Sequence, residues 1–182
     1  PINYSTYISQ SQTVTDFNFN VNVARAVTRL KSIFLSMTGA PHNSFNTKLK
    51  EFNNFWHPMS SETTAGTYNM GKEVELHVQI GSKLYPEYPI RSASETFSQL
   101  RKTMGIHQSP FHSLDITGPQ YRSYKFIASI DTEKVLEAGF TGLNTRAGDL
   151  LTIKVKPLDA SSSGMGSTVP TKFFTVLHSD NI

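Results

Sequence analysis

The sequence has 182 residues and no cysteine, which removes several classes of site at once. Without thiols the chain has no disulfide framework, no thiolate ligands for zinc and no cysteine nucleophile. The absence weakly favours assembly in a reducing compartment, where disulfides are rare. Long hydrophobic runs are also lacking, since no apolar stretch approaches the roughly 20 residues that a membrane-spanning helix needs.

Charge is scarce as well. Only 17% of the residues are charged and 37% are apolar, while Ser, Thr, Asn and Gln supply much of the remainder. The formal net charge of +3 is mildly basic, but no run of five or more basic residues indicates a nucleic-acid-binding tail. Uncharged polar residues that alternate with apolar ones are typical of antiparallel sheets. The twelve Phe and seven Tyr also favour strands.

No motif of a common catalytic or nucleotide-binding site is present. The G-x-S-x-G elbow and the G-x-x-x-x-G-K-[ST] loop are missing, and the glycines at 164 and 166 do not fit G-x-G-x-x-G. His107 and His112 have a spacing found in zinc sites but lack the accompanying ligands, so surface histidines are the better interpretation. We therefore expect no catalytic residues, no cofactor and no metal, and we expect that the chain is not an enzyme.

Strict alternation of apolar and polar residues predicts most of the secondary structure. The clearest strand is Glu73 to Ile80, in which Val74 and every second residue after it share one face. Similar runs are predicted at residues 17–23, 26–38, 124–130, 151–156 and 173–177. Residues 1–12 are expected to form an edge strand or an arm, and residues 40–72 a long loop with a strand embedded near 52–56.

One helix is predicted between the strands. Ser92 and Glu95 have the spacing of a capping box, and Gly105 fits the C-terminal stop. Before the helix, Tyr85 to Pro89 should form a stiff extended corner because two prolines fix the backbone. The count of seven or eight strands and one short helix predicts an all-β fold, an antiparallel β-sandwich of the jelly-roll type.

Three binding or catalytic alternatives remain open at this stage. A lectin-like sandwich would use Trp56, with Phe55 and His57, as a sugar platform. A glycoside hydrolase would use Glu73 and Glu75, although paired carboxylates are also common on a solvated strand. A single-strand nucleic-acid surface would use the aromatic and basic residues of the stretch 121–126, namely Tyr121, Arg122, Tyr124, Lys125 and Phe126.

Three stretches resemble the major capsid proteins of small double-stranded DNA viruses, the Polinton-like virus, adintovirus and virophage group. The first is residues 78–92 (VQIGSKLYPEYPIRS), which continues into the helix with Phe97, Leu100 and Arg101. The second is residues 124–149, and the third is residues 176–182. The first two cover about a quarter of the chain. Proteins of this group carry two jelly rolls in tandem, and three chains form a pseudo-hexagonal capsomer.

The resemblance implies a structural protein that assembles into homotrimeric capsomers and an icosahedral shell. Residues 1–182 would form a single jelly-roll domain, the C-terminal one of a longer capsid polypeptide. No first jelly roll is visible in the sequence, so a single-jelly-roll penton or minor capsid protein remains an alternative. The expected partners are other copies of the chain, neighbouring capsomers, and penton or minor capsid proteins. The expected location is the virion, assembled inside the host cell.

The segment Gly81 to Arg91 and the helix after it are predicted to contribute to a subunit contact. The segment is aromatic, stiffened by proline and poor in charge, which suits an interface. The predicted interface residues are Tyr85, Tyr88, Arg91 and Phe97. An equally good alternative is that this segment is a packed corner inside one subunit.

Overall fold

The alternating stretches of the sequence build two antiparallel sheets in the computed structural model of the chain. The structure describes residues 4–16, 18–39, 55, 57, 73–106, 113–123, 125–133, 142–145, 150–158 and 170–181. Within this part of the chain there are eight strands. They are β1 (Tyr4–Thr13), β2 (Phe19–Val23), β3 (Leu30–Gly39), β4 (Val74–Ile80), β5 (Lys83–Ile90), β6 (Ala128–Asp131), β7 (Leu151–Pro157) and β8 (Pro170–Asn181). Helices α1 (Ala93–Thr103) and α2 (Gly118–Ser123) both lie between β5 and β6.

The order of the strands is that of a jelly roll. Sheet A has the order β1-β8-β3-β6, and sheet B has the order β2-β7-β4-β5. The antiparallel pairs β1–β8, β2–β7, β3–β6 and β4–β5 nest inside one another, as if one long hairpin with its tip at β4–β5 had been rolled up. The pairs β3–β8 and β4–β7 then join these hairpin arms into sheets. The predicted all-β sandwich of the jelly-roll type is confirmed.

The core lies between the two sheets and is built by the alternation that the sequence shows. Every second side chain of β3, β4 and β7 points inward, and its neighbours point outward. The buried inward residues of these strands are Ile33, Leu35, Met37, Val74, Leu76, Val78, Ile80, Leu151, Ile153 and Val155. From β8, Phe173 and Leu177 complete the same cluster. Phe17 lies outside the described residues, but Val21 and Val23 of β2 are buried as expected.

Helix α1 begins and ends where the sequence predicts. The Ser92 hydroxyl accepts a hydrogen bond from the Glu95 N–H at 3.0 Å, and the Glu95 carboxylate accepts one from the Arg91 N–H at 3.0 Å. These bonds satisfy N–H groups that have no partner inside the helix. At the other end Gly105 has a φ of 70°, a left-handed conformation that glycine adopts without strain.

Two local predictions differ from the structure. Residues 85–89 belong to the edge strand β5 and are not a separate corner, because the extended backbone that proline imposes is compatible with an edge whose outer N–H groups need no partner. The strand predicted at 124–130 begins only at Ala128. Lys125 forms just an isolated bridge with Phe55, and Tyr124 lies outside the described residues.

Helix α2 explains why β6 is short. The Thr117 N–H donates to the Gln120 side-chain oxygen at 3.1 Å, and the Gln120 N–H donates to the Thr117 hydroxyl at 3.4 Å. This reciprocal capping pair, with Pro119 in the first turn, starts a helix at Gly118. The same Thr-x-x-Gln pattern is readable in the sequence, but only one helix was predicted.

The alternation along β7 gives a direct test of the sandwich. Ile153 is completely buried between the sheets, whereas Lys154 points to the outer face of sheet B. We expect Ile153→Ala to lower the free energy of unfolding by about 2–5 kcal/mol, because it leaves a cavity in the core. The matched change Lys154→Ala should cost at most about 0.5 kcal/mol. Denaturant unfolding measures both, and equal costs would contradict the assigned register.

Candidate assembly interface

A β-sandwich has four edge strands, and the four edge strands of this chain differ in length and in what covers them. In sheet A, β6 has only four residues and is covered by α1, since Ser129 donates to the Thr103 hydroxyl at 2.9 Å and Lys102 lies 3.7 Å from Asp131. In sheet B, β2 has only five residues. The two long edges are therefore β1 of sheet A and β5 of sheet B.

The long edges lie on opposite lateral sides of the sandwich. β1 continues through five residues into β2, and the Gln10 amide donates to the Asn22 carbonyl at 3.3 Å, so β1 and β2 form one side. β5 leads directly into α1, which packs along β6, so β5 and β6 form the other side. A contact made by β5 is thus remote from one made by β1.

Strand β5 contains a bulge that carries the most exposed aromatic residue described. Val78 pairs with Tyr85 and Leu76 with Ile90, so one β4 residue stands opposite four residues of β5, the β5 bulge (residues 86–89). A proline at each end of the bulge lacks the N–H that a ladder needs. Tyr88 at the bulge is 78% exposed, and the neighbouring Leu84 is 45% exposed. Large apolar side chains exposed in this way indicate an interaction surface when they lie together.

The four predicted interface residues divide into two groups. Tyr88 and Arg91 are accessible, and the Arg91 side chain is 62% exposed while it pairs with Glu75 at 3.2 Å. Tyr85 and Phe97 are half-buried and pack against the core of their own subunit. The ring of Phe97 lies 4.9 Å from that of Tyr121. The structure therefore leaves Tyr88 and Arg91 available for a subunit contact, which remains a prediction.

The outer faces of the two sheets differ in polarity. On sheet B the cross-strand pairs are polar, for example Glu75 with Lys156 and Gln79 with Thr152. On sheet A the outward residues Phe34 and Val176 are paired across strands, and Phe174 lies beside them opposite Ser36. These three half-buried side chains form the sheet A patch (Phe34, Phe174 and Val176), of which Phe34 also packs against the core cluster of its own subunit. This patch was not predicted from the sequence, although its alternation with the buried residues 33, 35, 173 and 177 is a recognisable pattern.

The two carboxylates of the hydrolase alternative are engaged in structural contacts. Glu75 pairs with Lys156 at 3.0 Å and with Arg91 at 3.2 Å. Burial by itself raises the pKa of Glu75, but the two cations outweigh it and hold the pKa below its usual value. Glu73 accepts a hydrogen bond from the Ala93 N–H at the start of α1 at 3.0 Å. A general acid needs a raised pKa, so this arrangement does not favour glycoside hydrolysis.

The sugar platform of the lectin-like alternative is not supported by its described members. Trp56 lies outside the described residues. His57 is 1% exposed and packs edge-on against the ring of Phe126 at 4.7 Å. Phe55 is half-buried, and its carbonyl accepts a hydrogen bond from the Phe126 N–H at 2.8 Å. A buried imidazole cannot stack on a sugar ring.

The proposed nucleic-acid surface fails for a similar reason. Tyr121 and Phe126 are 2% and 1% exposed, so neither ring can stack on a base. The Tyr121 hydroxyl donates to the Ile127 carbonyl at 2.8 Å, inside the subunit. The rings of Tyr121 and Phe126 lie 5.3 Å apart in a small internal cluster, whereas Tyr124 lies outside the described residues.

Metal binding and membrane insertion find no support in the described part of the chain. No group of three or more His, Cys, Asp or Glu residues there could hold a metal ion, and His107 and His112 lie outside it. Neither described helix has the length and apolar character needed to cross a bilayer.

Comparison with known proteins adds no identification. No protein-family model matches the chain, and neither the curated proteins nor the solved structures give a significant match. The function of the chain is therefore inferred from the sequence resemblance and from the geometry of its edges and faces.

Acid should destabilise the fold through His57. Burial, with the nearby charge of Arg122, lowers the pKa of His57 to about 3, whereas an unfolded histidine titrates near 6.5. Because the unfolded chain binds this proton first, stability should fall as the pH drops below 6.5, by up to about 1.4 kcal/mol per pH unit for this residue. Thermal or denaturant unfolding between pH 7.5 and 4.5 measures the slope.

The His57→Gln variant should show a shallower slope than the native chain. The matched control is His77→Gln, since His77 is only partly buried on sheet B, where burial and the charge of Lys154 lower its pKa. An unchanged slope in His57→Gln would show that His57 is not the group responsible.

Proposed function

We propose that the chain is a structural protein of a viral capsid, which self-assembles into trimeric capsomers and, through them, an icosahedral shell. The proposal includes no catalytic role and no cofactor. Its partners would be other copies of the chain, neighbouring capsomers and penton or minor capsid proteins, and its location the virion.

The observation that carries the proposal is the position of the exposed apolar residues. In the described part of the chain, Tyr88 and Leu84 stand on one lateral edge of the jelly roll, and the sheet A patch lies on an outer face. The candidate polar sites, by contrast, are either buried or paired inside the subunit. Exposed apolar side chains on an edge or outer face of a packed sandwich are what an assembling subunit requires.

Two different surfaces on one subunit suit a ring. When the β5 bulge of one copy packs against the sheet A patch of the next, the contact is heterologous, and heterologous contacts that close produce cyclic oligomers. The number three comes from the sequence resemblance to the tandem jelly-roll capsid proteins. Jelly rolls also occur in lectins and other proteins, so the fold by itself does not decide the function.

Removing the β5 bulge aromatic should weaken assembly without weakening the fold. We expect Tyr88→Ala to raise the dissociation constant of the oligomer about ten-fold or more, as truncation of a buried interface tyrosine does. The melting temperature of the dissociated subunit should stay unchanged, because Tyr88 is exposed there. Leu158→Ala serves as the control, since Leu158 is 43% exposed but lies beyond the end of β7, away from the bulge.

Light scattering over a range of concentrations measures this, with electron microscopy of the same samples. A trimer that Tyr88→Ala weakens and Leu158→Ala leaves intact would support the capsomer assignment. A pentamer would instead favour the single-jelly-roll penton alternative. A native chain that stays monomeric at every concentration, and shows no particles, would contradict self-assembly.

A further inference from the structure

Within the described residues, strand β1 differs from the other edge strands because it shows none of the features that block pairing with another strand. Edges are usually blocked by charge, proline, a bulge, short length or a covering helix. β6 is short and covered, β2 is short, and β5 has two prolines and a bulge. β1 has ten residues with the sequence YSTYISQSQT, which contains no charge, no proline and no glycine.

The ladder of β1 is also regular and firmly held on its inner side. Ten consecutive residues pair with β8 without a register shift, from Tyr4 with Asn181 to Thr13 with Lys172. The Ser5 hydroxyl donates to the Asp180 carboxylate at 2.7 Å, and Lys31 lies 3.1 Å from the same carboxylate. The ring of Tyr7 stacks on that of His178 at 4.6 Å and an interplanar angle of 6°. Among the described strands only β8 pairs with β1, so its other edge presents a straight, preformed row of backbone groups.

We propose that the outer edge of β1 pairs antiparallel with β1 of a second copy of the chain, about a two-fold axis near Ile8. The two sheets A then continue across the subunits as one eight-stranded sheet. Such a contact is isologous, so it is distinct from a ring contact made by the β5 bulge.

The composition of β1 favours its own copy as the occupant. An edge strand that pairs with a charged partner strand is expected to carry the opposite charge, and β1 carries no charge. Two β1 strands meet without like-charge repulsion in any register. Among the described strands of this chain, β2 and β6 are too short to match ten residues, and β5 cannot supply a continuous ladder because of its bulge and prolines.

The faces of β1 fix the register near Ile8. Ile8 is half-buried and packs against the core, while Tyr7 and Ser9 on either side are exposed. Side chains alternate between the two faces along each strand, and residues directly opposite each other share a face. Inward side chains of the two copies therefore meet only when even-numbered residues pair with even-numbered residues. With Ile8 opposite Ile8 of the second copy, an apolar contact continues the core, and Tyr7 stands opposite Ser9.

The test uses the Tyr88→Ala variant as the starting protein. This change weakens a ring contact through the β5 bulge but does not alter the β1 contact. Sedimentation analysis of this protein should show a concentration-dependent dimer. Adding Ser9→Glu or Ser9→Lys should weaken the dimer about two- to five-fold, because the two introduced like charges are then diagonal neighbours on the same face of the sheet across the axis. An equimolar mixture of the two variants should associate more tightly than either alone.

Matched controls are Ser94→Glu and Ser94→Lys, since Ser94 is an exposed serine on α1, away from β1. These changes should leave the dimer unaffected. A monomer at every concentration in the Tyr88→Ala background would overturn the proposal. So would a mixture that associates no better than its components, since that result would show that a different strand or another protein occupies the edge.

The absence of cysteine allows a second, geometric readout. An Ile8→Cys variant should form an intermolecular disulfide under mild oxidation, because residues directly opposite on paired strands lie within the Cα separation that a disulfide tolerates. Thr13→Cys, at the end of the same strand, should not cross-link. Equal cross-linking at both positions would overturn the register. The capsomer proposal is tested separately, by whether the native chain forms a trimer. Its outcome does not depend on whether β1 pairs with β1 of a second copy.

Discussion

The pairing of β1 with β8 is the constraint on which the rest of the structure depends. It joins residues about 175 positions apart, as the hydrogen bond between Ser5 and Asp180 shows. Without it, β8 would lose one of its two neighbouring strands in sheet A. The strand that carries the core side chains Phe173 and Leu177 would then be held on one side only. Contacts between such distant segments carry a large entropic cost of loop closure, so ten regular pairs and an ion pair at Lys31 have to offset it.

The same pairing makes the molecule suited to assembly. By holding β1 at the rim of sheet A, it leaves one regular edge facing outward. On the opposite side of the sandwich, α1 covers β6 of sheet A and the bulge interrupts β5 of sheet B. The two rims therefore differ in chemistry: one presents backbone hydrogen-bonding groups, the other an exposed tyrosine at position 88. A subunit with two unlike edges can make a ring through one kind of contact and join rings through the other.

The sequence predicts the architecture well because alternation and capping are local signals. The inward residues of β3, β4 and β7 and both ends of α1 follow from spacing alone. The shortened β6 and the helix α2 were missed, although Thr117 and Gln120 form a recognisable cap. The bulge in β5 could not have been predicted, because it depends on which β4 residues meet Tyr85 and Ile90 across the sheet.

The candidate site was predictable only in part, for a similar reason. Spacing cannot tell an accessible aromatic residue from a packed one when both lie near proline, so Tyr85 and Tyr88 looked equivalent in the sequence. Their difference in exposure arises from the bulge. Tertiary packing likewise buried His57, Tyr121 and Phe126 and so removed the support for two binding functions. The capsid assignment still rests on the resemblance together with the exposed edges.

The most direct measurement of the central claim, self-assembly through the lateral edges, is amide hydrogen exchange on dilute and concentrated protein. The account predicts slower exchange in the concentrated sample along residues 4–13 and at Glu87 and Tyr88, with no change at residues 152–156 on the polar face of sheet B. Identical exchange at all concentrations, or protection confined to sheet B, would contradict it.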